Sequence, residues 1–215
     1  MNTELLIAEL SGGLQPVQAN ASRVLLHRAL VSGTIAAGSI VLFWPSLGIR
    51  GDLTDALTTT GFWIKQLYTA SIGVVGFAAL DRLSRPGMET SYWTRLLCVP
   101  FAMLSAIAAL YWFAEPSLDS QQFWMGSSWW RCPLYVAGLS LPVFVGLISA
   151  LSRLAPTRLG TAGAAAGLVA GAAGASVYAL HCAETSPGFV LLWYSLGLAA
   201  AALVGALVGG RLLRW

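Results

Sequence analysis

The sequence predicts an all-α integral membrane protein, in which a bundle of six transmembrane helices follows a short amphipathic cytoplasmic segment at the amino terminus. Composition determines the class, because 57% of the 215 residues are hydrophobic and only 10% are charged. A soluble domain usually carries about 25% charged residues. The mean hydropathy of +0.72 agrees with this assignment. The formal net charge of +3 is too small to indicate direct nucleic-acid binding.

Six apolar runs provide the helices of the predicted bundle. Each is about as long as a helix that crosses the hydrocarbon core of a bilayer, roughly 20 residues. No Asp, Glu, Lys or Arg lies at the middle of any run, which disfavours a transporter or proton pump, since these need ionisable groups there. Lys65 lies near a helix end, where we expect its side chain to extend to the surface. The runs are residues 29–47, 62–80, 96–113, 133–151, 161–180 and 189–208.

The loops between these runs differ sharply in positive charge, and this difference predicts the orientation. Arg and Lys accumulate in the cytoplasmic loops of membrane proteins. One side holds only Arg50, Lys65 and Arg131, beside most of the acidic loop residues. We therefore expect both termini on the opposite side, in the cytoplasm of a bacterium, and the chain in the inner membrane. That side holds Arg23, Arg28, Arg82, Arg85, Arg95, Arg153, Arg158, Arg211 and Arg214.

Residues 1–28 are predicted to form a cytoplasmic tail, and residues 29–215 the six-helix transmembrane domain. Leu6 and Leu10 stand one turn apart in a predicted helix that ends at Ser11 and the glycines after it. An isolated helix this short is marginal in water. Its apolar side therefore binds another protein, packs on its own membrane domain, or remains part of a disordered tail. The tail is acidic rather than basic at its start, so no signal peptide is expected.

Two cysteines lie at helix ends on the predicted outer side. Cys132 opens the fourth run under a cluster of aromatic residues, with Pro133 in the first helical turn, and is expected at the membrane–water interface rather than in the core. Cys182 closes the fifth run, and consecutive helices usually pack together. Cys98 is expected on the inner side.

The cysteine pair allows a structural disulfide or a thiolate site. Soft thiolates suit soft or borderline metal ions, and His181 is a candidate auxiliary ligand beside Cys182. Two thiols and one imidazole are an incomplete set for a tetrahedral structural zinc site.

Small residues recur on the fifth run, where Gly163, Gly167 and Gly171 are spaced four residues apart. This spacing lets helix backbones approach closely, and we interpret it as a packing surface rather than a ligand groove. The sequence contains no Cys-x-x-Cys, no zinc-protease motif and no phosphate-binding glycine loop, so no enzyme is expected.

Across essentially its whole length the chain resembles the NrsF-type anti-sigma factors, negative regulators of an extracytoplasmic-function sigma factor. The resemblance rests on the amino-terminal leucine segment, on two cysteine contexts and on six membrane helices. The segments concerned are Leu5-Leu6-Ile7-Ala8-Glu9-Leu10 with Pro16-Val17, Trp130-Arg131-Cys132-Pro133-Leu134, Leu180-His181-Cys182-Ala183-Glu184 and Trp193-Tyr194.

The resemblance implies a partner, a sensor and no obligatory cofactor. The tail would hold the sigma factor at the membrane through Leu5, Leu6, Leu10, Pro16 and Val17. The outer cysteines would report heavy-metal or oxidative stress, with a soft metal ion bound transiently at the pair. Membrane lipid is the other expected partner. The alternative is a membrane scaffold or thiol-redox protein with a different cytoplasmic partner.

The orientation is tested by reporter fusions. Because the arginine bias alternates through all loops, we expect a cytoplasmic fluorophore to be active after Arg214 and in the loop that contains Arg82 and Arg85. Alkaline phosphatase, which needs the periplasm, should be active only in fusions to the outer loops, such as those near Arg50 and Arg131. Phosphatase activity from a fusion after Arg214 would exclude this orientation.

Overall fold

The computed structural model describes residues 3–12, 20–44, 47–88, 91–114 and 119–214. Within them the chain is helical, and long helices coincide with all six predicted runs. Short helices occupy the connections between the long ones. In chain order the helices are α1 (Thr3–Ser11), α2 (Ala21–Phe43), α3 (Leu53–Ala56), α4 (Thr60–Leu83), α5 (Ser91–Leu96), α6 (Cys98–Ala114), α7 (Ser120–Trp124), α8 (Arg131–Leu151), α9 (Leu159–Tyr178), α10 (Pro187–Phe189) and α11 (Ser195–Leu212), the last two joined by a π-helical turn, Val190–Tyr194.

Five helical segments of the described chain are long and apolar enough to cross a membrane. They are α2, α8, α9, α5 with α6, and α10 continued through α11. The sixth long helix, α4, is not among them, because Lys65 and Gln66 lower the hydropathy of its first half. Of the predicted bundle of six membrane-spanning helices, five are therefore supported among the described residues.

The amino-terminal segment contains the short predicted helix. Helix α1 ends at Ser11, where the sequence predicted its end, and Leu5, Leu6 and Ile7 are exposed on it. Helix α2 already begins at Ala21, and Leu26 is fully buried, so the helix continues through the boundary expected after residue 28. The side chain of Leu10, and Pro16 and Val17 altogether, lie outside the described residues.

Helix α9 is the centre of the bundle, because α4, α8 and α11 all pack on it. Its glycines face backbone atoms of these neighbours. A Cβ atom added at Gly163 would overlap the carbonyl group of Gly205, and one at Gly167 would overlap that of Ala201. A Cβ added at Gly171 would lie 3.3 Å from the Leu198 Cα. The absence of side chains at these positions allows α9 and α11 to pack backbone against backbone.

The antiparallel order of the helices sorts their ends into two groups. Cys132, at the start of α8, and Cys182, after the end of α9, belong to one end of the bundle. The aromatic residues near them pair across segments, as in the contact between Trp129 and Trp193, whose ring centroids lie 5.2 Å apart. The opposite end carries Arg23, Arg82, Arg85, Arg153, Arg158 and Arg211.

Substitution of a packing glycine should separate α9 from α11. We expect Gly167→Val to lower stability by about 1–3 kcal/mol or more, the usual range for overpacking a close contact. The matched control is Gly138→Val, since an added Cβ there meets nothing within 4 Å. Thermal unfolding of both variants in the same detergent measures the difference. Equal stability of the two proteins would contradict the close α9–α11 contact.

Candidate functional site

Cys132 lies in the first turn of α8, where its backbone N–H donates to the carbonyl of Ser128 at 3.0 Å. The side chain is fully buried and belongs to the hydrophobic core cluster at this end of the bundle. The expectation of an interfacial rather than a core cysteine was therefore wrong. The neighbouring Trp129 and Trp130 are exposed, whereas the Cys132 thiol is covered by other residues of the protein.

Cys182 belongs to the same buried cluster as Cys132 and is 3% exposed. Its backbone N–H continues the helical pattern of α9 by donating to Tyr178. Tyr178 and Tyr194, both almost fully buried, lie close enough to the two thiols to interact with them electrostatically. The structure thus brings together the two cysteines that the sequence placed on different helices, and holds both as free thiols.

Lys65 lies against this pair and is completely buried. Its ammonium donates to the carbonyl oxygens of Cys182, at 2.8 Å, and Glu184, at 2.9 Å. The Tyr194 ring lies 5.8 Å from the same nitrogen. The prediction that Lys65 extends to the surface was wrong, because α4 directs it inward, where carbonyl oxygens replace the water that an ammonium otherwise requires.

Glu184 connects the segments that carry the two thiols. Its carboxylate accepts hydrogen bonds from the backbone N–H and the hydroxyl of Ser127, at 2.8 and 2.7 Å. Gly126, whose φ of +58° favours glycine, brings the chain so close that an added Cβ would lie 2.8 Å from the Glu184 carboxyl carbon. Charge-assisted hydrogen bonds of this kind are stronger than neutral ones. The segment after Cys182 is therefore attached to the segment before Cys132.

The loop after α2 covers the same end of the site. The backbone N–H of Arg50 donates to the Leu180 carbonyl at 3.1 Å, and its guanidinium reaches the Cys182 carbonyl at 3.4 Å. The guanidinium also binds both carboxylate oxygens of Asp52, at 2.7 and 2.6 Å. These bonds lower the pKa of Asp52 from its ordinary 3.8 to about 2, so the pair is lost only as the pH falls toward 2. The Arg50–Asp52 pair in this loop is therefore kept at every pH near neutrality.

The donor set at this end is incomplete for a structural zinc ion. Among the described residues, no group of three or more His, Cys, Asp and Glu side chains is placed to hold a metal ion. His181 is beside the pair in sequence, but its Nδ1 lies 2.8 Å from the Gly48 carbonyl, and its ring packs against Tyr178. Two thiolates alone suit a soft ion of low coordination number.

The remaining predicted residues lie elsewhere. Cys98 is exposed at the start of α6. The other end of α6 carries Trp112, which packs against Phe123 at the end of the bundle that holds the two buried thiols. Leu5 and Leu6 are exposed on α1.

Sequence reasoning missed two of the groups that hold the site. Lys65 is the only lysine in the chain and lies in an apolar run, and this pattern could have indicated a buried position. Glu184 appears in the sequence analysis only as part of the segment around Cys182, with no role of its own.

The chain matches known proteins over most of its length. The family described as "Negative regulator of sigma F" matches residues 10–215. The "Probable anti-sigma-F factor NrsF" of Azospira oryzae is 39% identical over 215 residues, which is 100% of both chains. The "Anti-sigma-F factor NrsF" of Caulobacter vibrioides is 39% identical over 191 residues, 87% of this chain and 88% of the relative. No solved structure matches.

The family match and the match to the Azospira oryzae protein both include Cys132 and Cys182, and the latter also includes the amino-terminal leucine segment. The chain therefore belongs to the family of negative regulators of sigma F, the anti-sigma-F factors.

Proposed function

We propose that this anti-sigma factor holds an extracytoplasmic-function sigma factor at the inner membrane through its amino-terminal segment, and releases it when Cys132 and Cys182 react with a soft heavy metal or an oxidant. The observation that carries the proposal is the pairing of the two thiols. They come from different helices, yet both are buried in one cluster with Lys65 and Tyr194.

The chemistry of the pair has two balanced forms. A divalent soft ion displaces both thiol protons and forms a bis-thiolate, with release of two protons to solvent. An oxidant instead removes two electrons and two protons and leaves a disulfide between Cys132 and Cys182. Both reactions constrain two sulfur atoms that the resting protein holds as independent side chains.

Burial of the thiols makes the reaction conformational. With Cys132 fully buried and Cys182 3% exposed, a reagent reaches them only when the covering segments move. Those segments are fixed by the hydrogen bonds of Glu184 and Arg50. Reaction therefore selects a rearranged state of this end, as a ligand selects the state that it binds better.

The amino-terminal helix supplies a surface for the sigma factor. Leu6 and Ile7, which belong to the predicted apolar side of α1, are 36% and 55% exposed, and Leu5 is 69% exposed. An apolar helix side that docks into a groove is a recurrent mode of recognition. The two acidic residues of α1, Glu4 and Glu9, flank it and are exposed.

Release requires only a moderate coupling between the two ends. An ordinary allosteric coupling of about 1–3 kcal/mol changes affinity about 5- to 150-fold. Such a change is sufficient to free a sigma factor for RNA polymerase if the resting affinity for the sigma factor is above the affinity that sequestration requires by a similar factor.

Substitution of the paired thiols should abolish the response. We expect Cys132→Ser and Cys182→Ser each to prevent induction of a sigma-dependent reporter by Cd²⁺, and the double variant to resemble either single one, because serine forms neither a disulfide nor a soft-metal bond. Cys98→Ser is the control and should respond normally, since Cys98 is exposed at the far end of α6.

Membrane abundance, measured beside the reporter, separates sensing from structure. A merely structural role of the pair predicts lower abundance, with the surviving protein still responsive. Normal induction in a stably expressed double variant would end the sensor hypothesis.

Charge on the apolar side of α1 should prevent repression. We expect Leu6→Asp or Leu10→Asp to weaken sigma binding by at least about tenfold, because burying one leucine contributes about 1.5–3 kcal/mol and an unpaired buried charge is unfavourable. The reporter would then be active without stress. Ser11→Asp adds the same charge at an exposed polar position of α1 and serves as the control. Co-purification of the sigma factor with each variant measures binding, and full retention by the Leu6→Asp/Leu10→Asp protein would exclude this surface.

A further inference from the structure

Helix α4 buries a charged side chain near each of its ends. Lys65, near its start, is fully buried, and Asp81, near its end, is 5% exposed. Both are unusual in an apolar bundle, because a buried charge is unfavourable unless protein groups replace its water. Each therefore marks a place where α4 is fixed by specific partners.

At the thiol end, Lys65 attaches α4 to the segment that follows Cys182. Its two hydrogen bonds reach the carbonyls of Cys182 and Glu184, on either side of Ala183. Gly61, one turn earlier on α4, packs so closely on Thr185 that an added Cβ would lie 2.7 Å from the threonine Cβ. The start of α4 and residues 182–185 therefore move as one unit.

At the opposite end, Asp81 attaches α4 to the start of α2. Its Oδ2 accepts from Arg23 at 3.1 and 3.3 Å, and its Oδ1 accepts from Arg85 at 3.3 Å. Arg23 lies in the first turn of α2, the helix that follows the amino-terminal segment. The bond is therefore a direct polar link between α4 and the base of the tail.

Between the two ends, α4 is continuous and lies against the small residues of α9. Thr69 and Ser176 share a hydrogen bond of 2.8 Å, and a Cβ added at Gly76 would lie 3.1 Å from the Val169 side chain. A continuous helix transmits a displacement along its axis, because its backbone hydrogen bonds fix the rise of each residue. The two attached ends are thus mechanically connected.

We propose that Lys65 and Asp81 are the positioning residues that couple the thiol pair to the amino-terminal segment, with α4 as the connecting element between residues 182–184 and Arg23. The inference rests on the proposed function. It supplies a route from the thiols to the tail: movement of the segment after Cys182 pulls on Lys65, α4 shifts along α9, and Asp81 carries Arg23 and the start of α2 with it.

The test uses the full-length Cys98→Ser protein in lipid nanodiscs, with Cd²⁺ as the probe. Thiolate-to-Cd²⁺ absorption reports binding at the pair, and amide hydrogen exchange of residues 21–26 reports the start of α2. In this parent protein we expect Cd²⁺ to raise that exchange by about fivefold or more, the lower end of an ordinary allosteric coupling.

Lys65→Met and Asp81→Asn should separate binding from transmission. Asp81→Asn, which lies far from the thiols, should retain the thiolate absorption band, and both variants should lose most of the change in exchange at residues 21–26. Lys65→Arg keeps hydrogen-bond donors and should preserve it. Arg28→Gln is the matched control for charge on α2, since Arg28 is exposed on the same helix.

If the Lys65→Met protein fails to fold, the test uses Arg23→Gln, Asp81→Asn and their double variant. These variants are informative because partners in one interaction have non-additive effects. The double variant should then equal either single one. An unchanged Cd²⁺ response in folded Asp81→Asn and Arg23→Gln proteins overturns the coupling proposal while leaving the sensor intact. Absence of a thiolate band in the parent protein overturns the sensor, and the coupling with it.

Discussion

The close contact of α9 with its neighbours is the constraint on which the rest of the structure depends. Because Gly163 and Gly167 have no side chains, α11 reaches the backbone of α9, and α8 lies so close to Gly174 that an added Cβ would lie 2.8 Å from the Ser140 nitrogen. In a bilayer, helices gain little from hydrophobic burial against one another, so close packing and interhelical hydrogen bonds provide much of the association. A bundle packed in this way has discrete arrangements rather than continuous ones.

That packing explains why the polar groups are concentrated at helix ends. The contact surfaces of α9 leave little room for side chains, so the buried charged residues Lys65 and Asp81 lie toward the ends of α4, where free backbone groups or charged side chains are within reach. Lys65 uses the carbonyls that follow α9, where no further helical turn claims them. Glu184 uses the N–H and hydroxyl of Ser127 in the connection before α8. The thiol site is thus built from the unsatisfied ends of helices.

Much of the architecture could be predicted from the sequence, because hydrophobic length and arginine distribution are properties of single segments. The six runs, the end of α1 at Ser11 and the juxtaposition of the helices that carry Cys132 and Cys182 required no tertiary knowledge. Burial did require it. Cys132 follows two exposed tryptophans and reads as interfacial, yet it is covered by residues from distant segments such as Tyr194. For the same reason, local sequence placed Lys65 at the surface, although its acceptors lie far along the chain, at Cys182 and Glu184.

The burial of the thiols has a consequence for the direction of signalling. An exposed pair of thiols can react without disturbing its surroundings, and such a reaction does not stabilise one conformation of the protein over another. A covered pair reacts only from a state in which the cover has moved, so the free energy of forming two metal–sulfur bonds or one disulfide stabilises that state. Here the cover includes the carbonyls that bind Lys65, and their movement leaves a buried ammonium with fewer acceptors. In the proposed mechanism the helix that carries Lys65 would then adjust, and the lysine would be the point at which thiol chemistry becomes a change in helix position.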